Sequence, residues 1–500
     1  MSMTKSKKIV NDKPRTACGL FGVYDNPNAA VWTYYGLHAL QHRGQEAAGI
    51  VASQFQSDKQ RYHFSIVKGM GLVTDVFKDY SILKEQLKGN TAIGHTRYST
   101  TGSANNEKNI QPLIVNYRNG NLAVAHNGNL TNFRTIRKQL QDEGTIFQTT
   151  SDTELLLHLI ARSRKKTQIE QIQEALDMLE GAFSFLIMTD TMLVATRDVH
   201  GFRPLALGMK DDSYVVASET CAFDIIDAAY IRDVEPGEIL IINTTDNGKT
   251  ELTSRRINKK VEKPHHCIFE YIYFSRPDST IFGESVDKIR RKLGKALAQE
   301  SPVVPEKGDK TIVISVPDSS NTAALGFVTE SIKQGINTKL ELGLIRNHYV
   351  GRTFIQPEQG LREMKVKTKF NTVKGVLKGK KIVVVDDSIV RGTTSKQLVK
   401  LLKEAEPKEI HLRISSPPIV NSCYYGMDFP NREELIAVKC NEDIEKIREY
   451  LGVDSVHYLS MKKMLSSVPN GEKKGYCTAC FGGKYPAPIE NVTDKNELET

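Results

Sequence analysis

Residues 381–395 read Lys381-Ile-Val-Val-Val-Asp-Asp-Ser-Ile-Val-Arg-Gly-Thr-Thr-Ser395. The β-branched run Ile382 to Val385 predicts a strand buried on both faces, as in a parallel sheet. Asp386 and Asp387 end it. Gly392, Thr393, Thr394 and Ser395 follow, and then a helical pattern over Gln397 to Leu402. Small hydroxyl residues at a helix start let backbone N–H groups and side-chain hydroxyls converge on a phosphate. The paired acids can bind ribose hydroxyls, a divalent metal, or both. Together these parts predict a site for a phosphorylated sugar.

This stretch resembles the phosphoribosyl pyrophosphate motif of type I phosphoribosyltransferases. The resemblance implies that Asp386 and Asp387 hold the ribose hydroxyls. It also implies that Ser388, Arg391, Gly392, Thr393, Thr394 and Ser395 hold the 5-phosphate side. Val316-Pro-Asp-Ser-Ser320 follows a second apolar strand, Ile312 to Val316, and leads into a helix from about Asn321. It resembles the pyrophosphate loop of that family, which implies Mg2+ held by Ser319, Asp386 and Asp387. Tyr349 to Pro357, followed by Arg362, Lys365, Lys367 and Lys369, is glycine-punctuated and basic. The resemblance implies a lid there that closes over pyrophosphate and excludes water, with Arg352 among the substrate contacts. Arg346-Asn-His348 departs from the Lys-Asn-Arg common in such chains. Arginine for lysine changes geometry, and histidine is mostly neutral at pH 7.

The first half carries a second set of motifs. Cys18 opens Cys18-Gly-Leu-Phe-Gly-Val-Tyr24, and one such cysteine is more often a buried small hydrophobe than a nucleophile. Its companions change that reading. His42-Arg-Gly-Gln45, Gly94-His-Thr-Arg-Tyr-Ser-Thr100, His126-Asn-Gly-Asn129 and Ser151-Asp-Thr-Glu154 each close an apolar segment. Such ends are where a sheet scaffold presents site loops. Thiolate attack on an amide needs a base, an oxyanion hole and a substrate clamp. If Cys18 became the first residue, its α-amine, titrating near pH ~8, is a suitable base. The Asn127 side chain and Gly128 N–H suit the oxyanion. Arg97 suits an α-carboxylate through a two-pronged contact, and Asp152 an α-ammonium.

The ordered set resembles the N-terminal-nucleophile glutamine amidotransferases over roughly residues 18–240. The resemblance adds Arg43, Tyr98 and Thr100 to the glutamine contacts and implies that residues 1–17 are a propeptide. That leader has five lysines or arginines and no apolar core, so it is no secretory signal. The two halves imply an αββα glutaminase sandwich (residues 18–255), then a parallel-sheet phosphoribosyltransferase domain (264–470) and a C-terminal segment (471–500). Asp246-Asn-Gly-Lys249 reads as a hairpin turn, Ser254 to Pro264 as a polar connector and 484–500 as a tail. The combined resemblance implies transfer of glutamine's amide nitrogen to phosphoribosyl pyrophosphate, opening purine synthesis. It also implies purine nucleotide inhibitors and a homo-oligomer, dimer or tetramer. No Ser-Gly-Gly-x-Asp-Ser loop is present, which excludes an ATP-pyrophosphatase second half. A regulatory relative that binds without turnover, or a redox sensor on an inactive scaffold, would fit less well with Cys18, Asp386 and Asp387 all retained.

Cys477-Thr-Ala-Cys480 suggests zinc, a redox pair or an iron–sulfur ligand pair. Its context, with those of Cys267 and Cys423, resembles the iron–sulfur branch of the amidotransferase family. That implies a structural 4Fe-4S cluster on all four cysteines, although four thiolates also suit zinc. Cys221 and Cys440 read as core residues. The chain has 500 residues, 39% of them apolar, and no apolar run near the roughly 20 a membrane span needs. With the missing signal, this predicts a cytoplasmic chain. The net charge of +9 fits a polyanionic substrate, and no basic-aromatic alternation suggests nucleic acid.

Overall fold

The computed structural model describes residues 18–98, 106–347, 369–471 and 475–490. Its first half stacks two antiparallel sheets. One has seven strands, in the spatial order Ala229–Asp233, Ala206–Lys210, Ser213–Ala217, Gly19–Tyr24, Thr91–Arg97, Ala47–Gln56, Arg61–Met70. The other has six, in the order Thr250–Arg256, Glu238–Thr244, Met192–Arg197, Gly181–Thr189, Gly120–Leu130, Leu113–Tyr117.

The alternation of strand residues divides the apolar side chains between layers. Leu20 meets Leu186, Ala125 and Leu240 between the sheets. Phe21 and Val23 turn outward, onto a core shared with the helix Ala29–Ala39. Val124, Phe185 and Ile187 turn outward from the second sheet onto the helices Phe133–Asp142, Thr153–Arg162 and Gln168–Met178. The result is the expected αββα sandwich.

The second half is built on a five-stranded parallel sheet, in the order Thr338–Leu340, Thr311–Ser315, Lys381–Asp386, Glu409–Ile414, Ser455–Tyr458. Strand Lys381–Asp386 is buried on both sides, as its composition predicts. Ile382 and Val384 pack with Leu398 and Leu402 on one face. Val383 and Val385 pack with Leu293, Leu297 and Phe327 on the other. Ser315 pairs with Val385, so the loops leaving the two central strands emerge side by side at their carboxyl ends.

Some expectations need correction. The connector expected from Ser254 begins later, because Ser254 and Arg256 still pair with Leu240 and Glu238. Residues 484–490 are not a tail. The Tyr485 hydroxyl donates to the Ser422 carbonyl, the Tyr425 hydroxyl donates to the Ala487 carbonyl, and Ala487 is buried. The propeptide, Thr100, His348, Arg352 and nearly all of the expected lid lie outside the described residues.

Helices Val286–Glu300 and Asn321–Lys333 cross at two glycines. A methyl on Gly294 would strike the Ala323 carbonyl, and one on Gly326 the Arg291 carbonyl. Gly294→Ala is therefore expected to destabilise the second half by about 1–3 kcal/mol, read as a lower thermal midpoint.

Candidate functional site

Cys18 sits just before the strand Gly19–Tyr24, at the end of the sandwich. Its sulfur is within 3.4 Å of the Tyr98 carbonyl, and the Tyr98 N–H approaches it at 3.5 Å. Burial pushes the thiol up to about 11, while Tyr98 and the Arg97 charge pull the other way. Asp152 also acts on this thiol, so Arg97 and Asp152 both lie within its electrostatic reach. Burial would raise the Asp152 carboxyl. The His126 ring and the Leu130 and Thr153 N–H groups outweigh burial and hold it below the usual range.

Asn127 and Gly128 lie on the strand Gly120–Leu130, opposite Ser184 and Phe183. The Asn127 side chain is fully buried, and among the described residues neither its oxygen nor its nitrogen has a hydrogen-bond partner. Buried polar atoms left unpaired are uncommon and point to a ligand that completes them. Gly128 has φ +151°, and a side chain there would run into the Ala182 carbonyl. This accounts for the glycine.

Arg43 takes a different place from the one expected. Its guanidinium is fully buried and bound to Glu219 and Glu270 rather than open to a small molecule. It also donates from Nε to the Cys18 carbonyl at 3.2 Å. Glu219, Glu270 and Arg203 were not singled out from the sequence. The available signal was a lone acid inside an apolar aromatic run, Cys267-Ile-Phe-Glu-Tyr-Ile-Tyr-Phe274.

The second cluster lies at the carboxyl ends of the parallel strands, where open α/β sheets place ligands. The Ser319 hydroxyl donates to Asp387 Oδ2 at 2.5 Å, and that of Ser388 to Oδ1 at 2.7 Å. Ser320 donates to Asp386 Oδ1 at 3.2 Å. Both acids are buried. Arg290, also buried, lies within electrostatic reach of Asp387 and is held by the Tyr271 and Ser275 carbonyls. Ser388 thus supports the acid pair.

Gly392, at φ 78°, caps the helix Thr393–Lys403 and supplies no side-chain oxygen to its first turn. A side chain at Gly392 would also strike Ile436. Thr394 and Ser395 are half-buried and Thr393 is exposed, all at that helix N-terminus. Arg391 pairs with Glu434 at 2.9 Å.

Cys267 and Cys477 lie opposite each other in a short parallel ladder, His266–Cys267 with Tyr476–Cys477. The Cys480 carbonyl accepts from the Val420 and Asn421 N–H groups, which draws in the segment of Cys423. All four cysteines are buried in one core. Cys480 interacts electrostatically with Cys477, Cys423 and Cys267, and burial pushes the Cys267 thiol up to about 12. Among the described residues, no three Cys, His, Asp or Glu side chains yet form a ready metal-ligating group.

Known proteins agree with this arrangement. Residues 95–224 match the family model for a glutamine amidotransferase domain. An amidophosphoribosyltransferase of Bacillus subtilis (strain 168) is 50% identical over 481 residues, 95% of each chain. The chain belongs to the amidophosphoribosyltransferase family. One from Archaeoglobus fulgidus is 44% identical over 94% of this chain and 98% of its own length. A solved structure of the allosteric regulatory enzyme of purine biosynthesis superposes with a TM-score of 0.87, at 48% identity over 97% of this chain and 99% of that one. Another, the Bacillus subtilis enzyme complexed with ADP and GMP, gives 0.85 at 48% identity, over 96% of this chain and 100% of that one. No helix among the described residues is long and apolar enough to cross a membrane.

The strand segment Gly128–Asn129 also touches the second half. Asn129 Nδ2 donates to the Tyr424 carbonyl at 2.9 Å. Gly426, at φ +89°, lies so close that an added Cβ would stand 2.9 Å from the Gly128 carbonyl carbon. Gly426→Ala is expected to displace Gly128. Glutamine-supported turnover should then fall about tenfold or more, with ammonium-supported turnover within about twofold of the parent. Paired steady-state assays check this.

Proposed function

We propose that the chain moves the amide nitrogen of glutamine to C1 of 5-phosphoribosyl 1-pyrophosphate. The products are glutamate, pyrophosphate and 5-phosphoribosylamine, the first committed product of purine synthesis. The observation that carries this is the coexistence of two sites in one chain. A buried thiol lies within electrostatic reach of Arg97 and Asp152, and the buried Asn127 side chain has no partner among the described residues. A buried acid pair stands before a helix N-terminus whose cap, Gly392, carries no side chain. On this reading residues 18–255 make ammonia, residues 264–470 use it, and 471–490 brace the seam.

Arg97 holds the glutamine α-carboxylate and Asp152 the α-ammonium, with Tyr98 and Thr100 beside them. Removal of residues 1–17 frees the α-amine of Cys18, which accepts the thiol proton. The thiolate attacks the carboxamide carbon, and Asn127 Nδ2 with the Gly128 N–H holds the oxyanion. The tetrahedral species collapses to a thioester as ammonia leaves, and water then releases glutamate. Ammonia must stay unprotonated, so its path is shielded from bulk water. It attacks C1 as pyrophosphate departs, through an oxocarbenium-like transition state.

Asp386 and Asp387 hold the ribose hydroxyls, and Arg391 to Ser395 hold the 5-phosphate, joined by Arg352. Ser319 and Asp387, joined by a side-chain hydrogen bond, and the adjacent Asp386 are the oxygen donors that would hold a magnesium ion. That ion, when bound, offsets charge on the leaving pyrophosphate. Purine nucleotides are the expected inhibitors, in keeping with the Bacillus enzyme's complex with ADP and GMP. Seven cysteines without a disulfide suit a reducing, cytoplasmic setting.

The four buried thiols fit a soft metal by donor chemistry, and Arg203 lies within electrostatic reach of Cys267 and Cys423. A 4Fe-4S cluster there would cross-link the start and end of the second half. Cys480→Ser is expected to lower iron and acid-labile sulfide together. Zinc in place of iron would exclude the cluster.

The deciding test is pyrophosphate release with glutamine or with ammonium. Cys18→Ala should abolish the glutamine-supported rate and keep the ammonium-supported one. Asp387→Asn should reduce both by about 100-fold or more. Absence of release from the parent with either nitrogen source would refute the reaction.

A further inference from the structure

One group of buried charges is left unused by the chemistry above. Glu270 belongs to the second half, three residues past Cys267, and its side chain has 0% exposure. Its carboxylate accepts from Arg43 Nη1 at 3.0 Å and Nη2 at 2.9 Å. It also accepts from Arg203 Nη1 at 3.0 Å and from the Ser275 hydroxyl at 2.9 Å. Arg43 gives Nη1 to Glu219 as well, at 2.5 Å, and Nε to the Cys18 carbonyl at 3.2 Å.

A guanidinium is a rigid planar fork. It cannot turn toward or away from Cys18 without breaking its contacts with Glu270. Glu219 already offers Arg43 a compensating charge from within the first half. Glu270 therefore adds orientation, and it does so from the other half of the molecule.

We propose that Glu270 is a positioning residue for glutamine cleavage. It orients Arg43, and Arg43 fixes the backbone of Cys18. This rests on the reading of Cys18 as nucleophile. Glu270 acts without touching glutamine, so the glutaminase depends on a carboxylate that only the docked second half supplies.

The test compares full-length parent, Glu270→Gln and Glu270→Asp. Gln keeps the size and removes the charge; Asp keeps the charge and shortens the reach, so buried charges stay balanced and the fold is retained. For each, kcat and KM for glutamine hydrolysis are measured beside ammonium-supported pyrophosphate release. A misplaced nucleophile lowers kcat and kcat/KM together. The expected result is a kcat about tenfold or more lower in both variants, KM changed by less than about threefold, and ammonium-supported release within about twofold of the parent. Parental kcat in Glu270→Asp would overturn the proposal, as would an equal loss of glutamine- and ammonium-supported rates. Normal glutamine hydrolysis by Cys18→Ala would instead remove the nucleophile reading, and this proposal with it.

Discussion

Four fully buried charges, Arg43, Glu219, Glu270 and Arg203, hold the seam between the two halves together. Burying charge is costly, and the cost is met only when every charge is paired and the remaining hydrogen-bonding capacity is used. Here two guanidinium groups face two carboxylates. Outer contacts extend the set: the Cys18 and Tyr425 carbonyls accept from Arg43 and Arg203, and His42, Arg276 N–H and the Ser279 hydroxyl meet Glu219, while Arg203 Nε is left without a partner among the described residues. The group is intelligible only when both halves are present. Losing one member would strand its partner, a defect worth about 3–5 kcal/mol in buried pairs.

The apolar packing follows the same seam. Phe202 of the first half stacks on Tyr425 of the second, with ring centroids 4.3 Å apart, and shares a core with the four cysteines. Glu270 lies three residues after Cys267, and the segment Tyr424–Gly426 comes directly after Cys423. The chain segments that carry the cysteines therefore also carry the contacts to Arg43 and Gly128. The packing of the cysteines and the geometry at Gly128 are neighbouring consequences of one fold.

The two candidate sites use different scaffolds for different needs. The thiol site hangs on strand ends of an antiparallel sandwich, where Cys18, Arg97, Asn127 and Asp152 are all buried. The acid pair sits at the carboxyl ends of parallel strands beside a helix N-terminus. There, partial positive charge and small hydroxyl residues suit an anionic ligand. Burial suits a reaction whose product must not meet water.

Much of this was legible in the sequence, because local chemistry decided it. The doubly buried strand Lys381–Asp386, the helix start after Gly392 and the hairpin near Asp246–Lys249 follow from residue type and spacing over a few positions. So do the adjacent acids Asp386 and Asp387. The αββα layering was legible through its resemblance to a family. What only the tertiary structure decided is long-range. It decided the pairing of Arg43 with Glu270, 227 residues away, the contact of Gly426 with Gly128, and the anchoring of residues 484–490. It also placed Arg290 behind Asp387. A buried charge chooses its partner by three-dimensional proximity in a low dielectric, and no periodicity along the chain records that choice.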